Sequence, residues 1–152
     1  MDTNNNGSFP PIASENALIS LEVHYASEGS LSIRIDENGT DYRMHVTKIP
    51  PAYELSKYNG EMPKIESLEY NVKLKKPLID KLINGMSTIR VPAVPEFTAG
   101  ISGSTYILHI NNGFNSSRYT WWNKPPKGFE SLGRFVELLV EMSVKDGRFK
   151  LK

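Results

Sequence analysis

The spacing of apolar residues changes once between residues 103 and 143, and this change constrains the fold more than any other feature of the chain. Alternation typical of two strands comes first, at Tyr106, Leu108, Ile110, Tyr119 and Trp121. Pro125 and Pro126 then end the second strand, because proline cannot donate a ladder hydrogen bond. Helical spacing follows Gly128, at Leu132, Phe135, Val136, Leu139 and Val140. We therefore expect an antiparallel hairpin with a longer loop over 111–117, followed by an amphipathic helix that covers a sheet face.

The first half of the chain reads mainly as strands. Alternating runs lie at 18–25, 31–35, 42–46 and 68–74. Asn38-Gly39 stands between the second and third runs and predicts a hairpin with a type I′ turn, in which both central residues have positive φ. Pro77 predicts the start of a short helix through Ile83, with Gly85 just past its end. Ile89 and Val91 are consistent with a small extra strand.

This element order predicts an α+β fold: a mainly antiparallel sheet of about five to six strands with a short and a long helix on one face. We expect one domain over residues 17–147, preceded by a flexible leader at 1–16 and followed by a basic tail at 148–152. Residues 51–64 form a polar connection.

Charge and composition argue against several classes of partner. The 18 basic and 17 acidic residues give a net charge of +1, so we expect neither nucleic acid nor membrane as a partner. The chain has no cysteine, which excludes disulfides and thiolate chemistry. Residues 1–6 lack the features of a signal peptide, so we expect a cytoplasmic protein, or an exported one if a signal was removed.

The motifs indicate no catalytic residues, and we expect a protein that is not an enzyme and uses no cofactor. Gly100–Ser104 lacks the final glycine of a nucleophile elbow and leads into a strand rather than a helix. Asp36–Gly39 is explained by a turn without calcium. A metal or small-ligand site remains an alternative if neighbouring strands bring together His24, His45 and His109.

The adjacent Trp121 and Trp122 must point to opposite faces of their strand. We expect Trp121 in the core with Tyr119, and Trp122 on the outer face. Two interpretations of Trp122 stay open: an exposed binding residue, or a residue covered by the loop 92–102. The first is typical of a protein-binding hot spot and predicts a binding surface formed by Phe114, Arg118, Tyr119, Trp122 and Lys124.

The carboxy-terminal half also carries a resemblance. Gly103-Ser104-Thr105-Tyr106, a glycine-containing loop, Tyr119-x-Trp121, Pro126 and an apolar helix together resemble a loosely defined set of small bacterial proteins with no established activity. The resemblance covers about residues 30–143 and implies the fold, but it supplies no catalytic residues.

Together these observations predict a non-enzymatic protein-interaction module whose partner is another protein. An immunity or inhibitor protein that neutralises a bacterial toxin is one form of this hypothesis. The near-neutral charge argues against it, because many immunity proteins are strongly acidic. The sequence leaves the identity of the partner and the oligomeric state open.

Overall fold

Strand pairing organises the molecule, which a computed structural model describes for residues 17–51 and 68–144. The elements in chain order are β1 (Ile19–Tyr25), β2 (Gly29–Asn38), β3 (Asp41–Ile49), β4 (Leu68–Leu74), α1 (Lys76–Ser87), β5 (Thr105–Asn112), β6 (Asn115–Trp122) and α2 (Glu130–Val144). The expected leader at 1–16, all but the first residue of the 51–64 connection and the basic tail at 148–152 lie outside the described residues.

The six strands form one sheet in the order β4-β3-β2-β1-β5-β6, and every neighbouring pair is antiparallel. The predicted α+β fold is therefore confirmed. Both helices contribute to a single apolar core that also contains the inward-facing side chains of the strands. We call the face that packs against the helices the core face, and the opposite face the outer face.

The register explains why the core is continuous. One row of core-face positions crosses all six strands, through Tyr70, Val46, Ile33, Leu21, Leu108 and Tyr119. Ile33, Leu21 and Leu108, in the middle of this row, are fully buried. Because side chains alternate along a strand, the residues next to these three in the chain, such as Arg34, Glu22 and His109, fall on the outer face. The alternation seen in the sequence thus becomes one apolar layer.

The turns of two hairpins differ from those predicted from the sequence. Asn38 pairs with Asp41, so Gly39-Thr40 is the turn, and Gly39 alone has positive φ, at 67°. This is the pattern of a type II′ turn, and the predicted type I′ turn is wrong. Asn112 likewise pairs with Asn115, so the predicted longer loop over 111–117 is also wrong. Gly113, with φ of 64°, allows the strands to continue to a two-residue turn.

The predicted short helix is present as α1, but it runs past Gly85 and ends at Ser87. The extra turn brings Met86 against the core. It ends where the hydroxyls of Ser87 and Thr88 donate to carbonyls of the last turn, each at 2.8 Å. The extra strand predicted at Ile89 is absent from the described residues, although Ile89 itself packs against the core.

The predicted long helix is confirmed as α2. Four of the five residues in its predicted apolar stripe are buried, namely Leu132, Phe135, Val136 and Leu139. Met142 and Ser143 are buried as well, and the hydroxyl of Tyr70 on β4 donates to the carbonyl of Ser143. This hydrogen bond joins the end of α2 to the far edge strand, so the helix spans much of the core face.

Candidate interaction site

The two adjacent tryptophans lie on opposite faces of β6. Trp121 is only 5% exposed and stacks on Tyr106 of β5, with ring centroids 5.6 Å apart and an angle of 11° between the rings. The prediction that Trp121 enters the core is confirmed. This stacked pair fixes the end of the β5–β6 hairpin against the core, so Trp122 is held in position on the outer face.

Trp122 is half-buried because the loop 92–102 crosses its ring. The backbone of Gly100 lies so close that a Cβ atom at this position would overlap the ring of Trp122. Only glycine therefore fits here without displacing the ring. Of the two interpretations of Trp122, coverage by the loop agrees with this contact.

Polar and apolar contacts fix the base of the loop on both sides. The side-chain Oδ1 of Asn123 accepts a hydrogen bond from the backbone N–H of Ser104 at 2.8 Å, and the N–H of Asn123 donates to the carbonyl of Ser104 at 2.7 Å. On the other side Pro92 lies against Gly128, where an added Cβ would approach it to 2.7 Å. The two ends of the loop are therefore attached to the segment that joins β6 to α2.

Between these attachments the loop exposes large apolar side chains to solvent. Val94 is 83% exposed, Phe97 is 89% exposed and Ile101 is 107% exposed. None of these three residues was predicted from the sequence to bind a partner. The available signal was the presence of three large apolar residues in a proline-bounded stretch with no helical or strand period.

Cationic side chains surround the base of the loop. Lys124 follows Asn123, Lys127 precedes Gly128, and Arg90 lies two residues before Pro92; all three are exposed. The loop itself contains one carboxylate, Glu96, and a second carboxylate, Glu130, accepts a hydrogen bond from Gly128 at the base. The exposed apolar residues therefore rise from a base with more positive than negative charge.

The five residues predicted to bind a partner do not form one surface. Arg118 and Trp122 lie on the outer face, whereas Tyr119 lies on the core face and meets Phe129 edge to face at 6.3 Å. Phe114 occupies the second position of the β5–β6 turn and is fully exposed. Lys124 lies beyond the opposite end of β6. Of the five, Trp122 contacts the loop 92–102, and Lys124 lies at the base of this loop.

The structure places all three histidines on the outer face but does not bring them together. His45 and His109 share a cross-strand row, with β2 and β1 between them. Three strand spacings separate these histidines by about 14 Å. His24 lies elsewhere on this face, with Nε2 3.3 Å from Glu22. Within residues 17–51 and 68–144, no three His, Asp or Glu side chains form a group that could hold a metal ion.

Asp36 is the centre of a small ionic cluster on the outer face. Its Oδ2 lies 2.7 Å from Nε of Arg34 and 3.4 Å from Nε2 of His45. The carboxylate therefore accepts its strongest hydrogen bond from the guanidinium on its own strand. Its role is to organise polar side chains across β2 and β3.

A cleft of about 360 Å³ opens between the β1–β2 connection and the end of α2, at the same end of the strands as Trp122. Leu31, Leu68 and Val140 contribute apolar walls, and Tyr25 contributes a phenol. Burial raises the pKa of Tyr25 above its usual range, with smaller contributions from Tyr106 and Glu28. The phenol at the wall of the cleft therefore stays protonated to a higher pH than that of an exposed tyrosine.

No helix among the described residues has the length and apolar character that crossing a membrane requires. Comparisons with protein-family models, curated proteins and solved structures found no match for this chain.

Proposed function

We propose that this protein is a non-enzymatic interaction module that binds another protein through the loop 92–102. The observation that supports the proposal is the exposure of Val94, Phe97 and Ile101 in a loop whose two ends are attached to the β6–α2 segment. Single exposed apolar residues are common on protein surfaces, but three within eight residues of one attached loop form a concentrated apolar element.

The attachments of the loop favour binding for an energetic reason. Ordering a loop on association costs free energy, and a loop already held at its base loses less conformational freedom when a partner covers it. Phe97 supplies an aromatic anchor of the kind that contributes strongly to protein interfaces. Burial of one such side chain contributes roughly 2 kcal/mol before the costs of association are subtracted.

The charges at the base of the loop indicate the character of the partner. Arg90, Lys124 and Lys127 favour a protein that presents an apolar pocket with acidic side chains around it. Inhibition of a toxin, as by an immunity protein, is the specific form of this proposal. In that form the loop would cover an acidic surface of the toxin and block it.

The proposal is tested by affinity capture with purified, tagged protein, followed by titration of the captured partner. The double variant Phe97→Ser, Ile101→Ser is compared with Val144→Ser, which alters a residue that is 66% exposed at the end of α2. We expect wild type and Val144→Ser to retain the partner and the loop variant to lose it, with all three proteins equally folded by circular dichroism. Equal retention by the loop variant would contradict the proposal.

The toxin-inhibition form requires a functional test. The captured partner is assayed for its own activity, or for toxicity on expression, with wild type or the loop variant added. We expect wild type to suppress the activity and the loop variant to leave it unchanged. If wild type binds the partner but leaves its activity unchanged, the binding function stands and the inhibitor role is contradicted.

A further inference from the structure

Strand β6 forms one edge of the sheet, and among the described residues it pairs with β5 alone. Its register with β5 is continuous from Trp122 to Asn115, without a bulge. It contains no proline, and Arg118 is its only charged residue. Proteins commonly protect edge strands with prolines, bulges and several charges, because an unprotected edge can pair with another strand.

The direction of the free backbone groups follows from one hydrogen bond. The N–H of Asn123 donates to Ser104 on the β5 side, so the odd-numbered residues of β6 direct their backbone groups toward β5. Hydrogen bonding alternates along an antiparallel strand. The residues that direct N–H and C=O away from the sheet are therefore Ser116, Arg118, Thr120 and Trp122.

We propose that β6 pairs antiparallel with β6 of a second copy of this chain, about a two-fold axis at Tyr119. In this register Arg118 faces Thr120 of the other copy, and Ser116 faces Trp122. All four outward residues then form hydrogen-bonded pairs with one another. The result is a continuous sheet through two copies.

Hydrogen bonding, side-chain size and charge favour this register over its two neighbours. An axis at Thr120 would pair only three outward residues, because Ser116 would face Lys124 beyond the end of β6. A shift of the two-fold axis to Arg118 would place the two Arg118 side chains opposite each other, and like charges directly opposite are unfavourable. With the axis at Tyr119, the small Ser116 and Ser117 face the large Trp122 and Trp121 of the other copy. The strand is therefore self-complementary, which favours a second copy over an unrelated strand.

The same register gives the exposed turn of the hairpin a neighbour. Phe114 is 109% exposed, and in this register it lies opposite Lys124 of the second copy, two residues beyond the pair of Ser116 with Trp122. Lys124 adjoins the base of the loop 92–102, which carries the exposed Ile101. Dimer formation thus places the exposed turn of one copy at the end of β6 that adjoins the loop of the other. The inference concerns self-association and does not depend on the loop having a protein partner.

The test measures the mass of the purified full chain by light scattering over a wide range of concentration. We expect wild type to reach twice 17.1 kDa as concentration rises. Thr120→Pro removes an outward N–H and no hydrogen bond to β5, so this variant should remain at 17.1 kDa, while the control Thr120→Ala should still dimerise. A wild-type mass of one chain at every concentration, or equal dimerisation of Thr120→Pro and Thr120→Ala, would overturn the proposal.

Charge variants test the register and keep the proposal falsifiable if Thr120→Pro fails to fold. The two-fold axis creates two symmetry-related pairs of residue 120 with Arg118 of the other copy. Thr120→Glu makes both of them pairs of opposite charge, whereas Thr120→Arg makes both of them pairs of like charge. We expect the dissociation constant of Thr120→Glu to be at least roughly tenfold lower than that of Thr120→Arg. Equal constants for the two variants at low ionic strength would refute this register.

Discussion

The β2–β3 and β5–β6 hairpins reverse through turns of the same construction. Each has two central residues, Gly39-Thr40 in one and Gly113-Phe114 in the other, and each turn is enclosed by Asn or Asp residues that pair with each other. The φ angles of the two glycines, 67° and 64°, differ by 3°. The two hairpins differ in their position in the sheet: β2 and β3 have neighbours on both sides, whereas β6 has one among the described strands.

This difference in position decides what each hairpin contributes. Ile33, Ile35 and Met44 in the inner hairpin are completely buried, whereas the only buried residue of β6 is Trp121. Turn geometry is thus a local property, whereas burial depends on which strands lie alongside. An identical turn can therefore serve either the core or an exposed edge.

The largest expected effect tests whether the edge hairpin is attached to the core mainly by Trp121. Trp121→Ala removes the stack on Tyr106 and leaves a cavity, so we expect the free energy of unfolding to fall by about 4 kcal/mol. Trp122→Ala, at a half-buried position, should cost about 1 kcal/mol. Urea unfolding at one fixed protein concentration measures both. Similar losses would show that the outer face is as important for stability as the core face.

A smaller loss is expected from the inner hairpin, with the edge hairpin as its control. Ile33→Ala deletes a fully buried side chain and should lower the free energy of unfolding by about 3 kcal/mol. Ser117→Ala alters an exposed position on β6 and should change it by less than about 0.5 kcal/mol. The same denaturation experiment applies. Surface substitutions usually change stability by less than about 0.5 kcal/mol, so a cost above about 1 kcal/mol for Ser117→Ala would contradict the expected difference between the inner and edge strands.

A matched pair of substitutions compares the energetic cost of the two turns directly. Gly39→Ala and Gly113→Ala each force a side chain into positive φ, and neither added Cβ meets another atom within 4 Å. We therefore expect equal costs of about 1–2 kcal/mol. Thermal or urea unfolding decides the matter. A clearly larger cost at Gly39 would mean that the position of a hairpin in the sheet changes the energetics of its turn.

The smallest effect is a pH dependence at the start of α2, beside the edge hairpin. Glu130 accepts a hydrogen bond from the N–H of Gly128 at 3.0 Å, and backbone hydrogen bonds hold the pKa of its carboxyl below the usual 4.5. Its stabilising contribution is therefore fully present above pH 4.5 and is lost as the pH falls through the lowered pKa. The stability difference between wild type and Glu130→Gln should shrink over that range. A difference that stays constant with pH would contradict this role.

Much of the fold was predictable because it depends on alternation and helical spacing. Trp121, Leu108 and Leu139 all occupy the core positions that their spacing indicates. The candidate site was less predictable. Phe97 and Ile101 lie in a stretch without periodicity, and their exposure depends on how Gly100 and Pro92 attach the loop to distant residues. The alternation of side chains along β6 predicts that Arg118 and Tyr119 lie on different surfaces. It does not predict which residues of other elements each of them contacts.

The spacing of neighbouring residues was enough to predict the type of most elements, the core face of each strand and the burial of Trp121. The order of the strands depends on tertiary packing. This order separates His45 from His109 and leaves β6 at an edge of the described sheet. Tertiary packing also places Gly100 on Trp122. These outcomes join residues far apart in the chain. Local spacing carries no information about which distant segments pack together, and that packing is what creates the exposed loop and the edge strand.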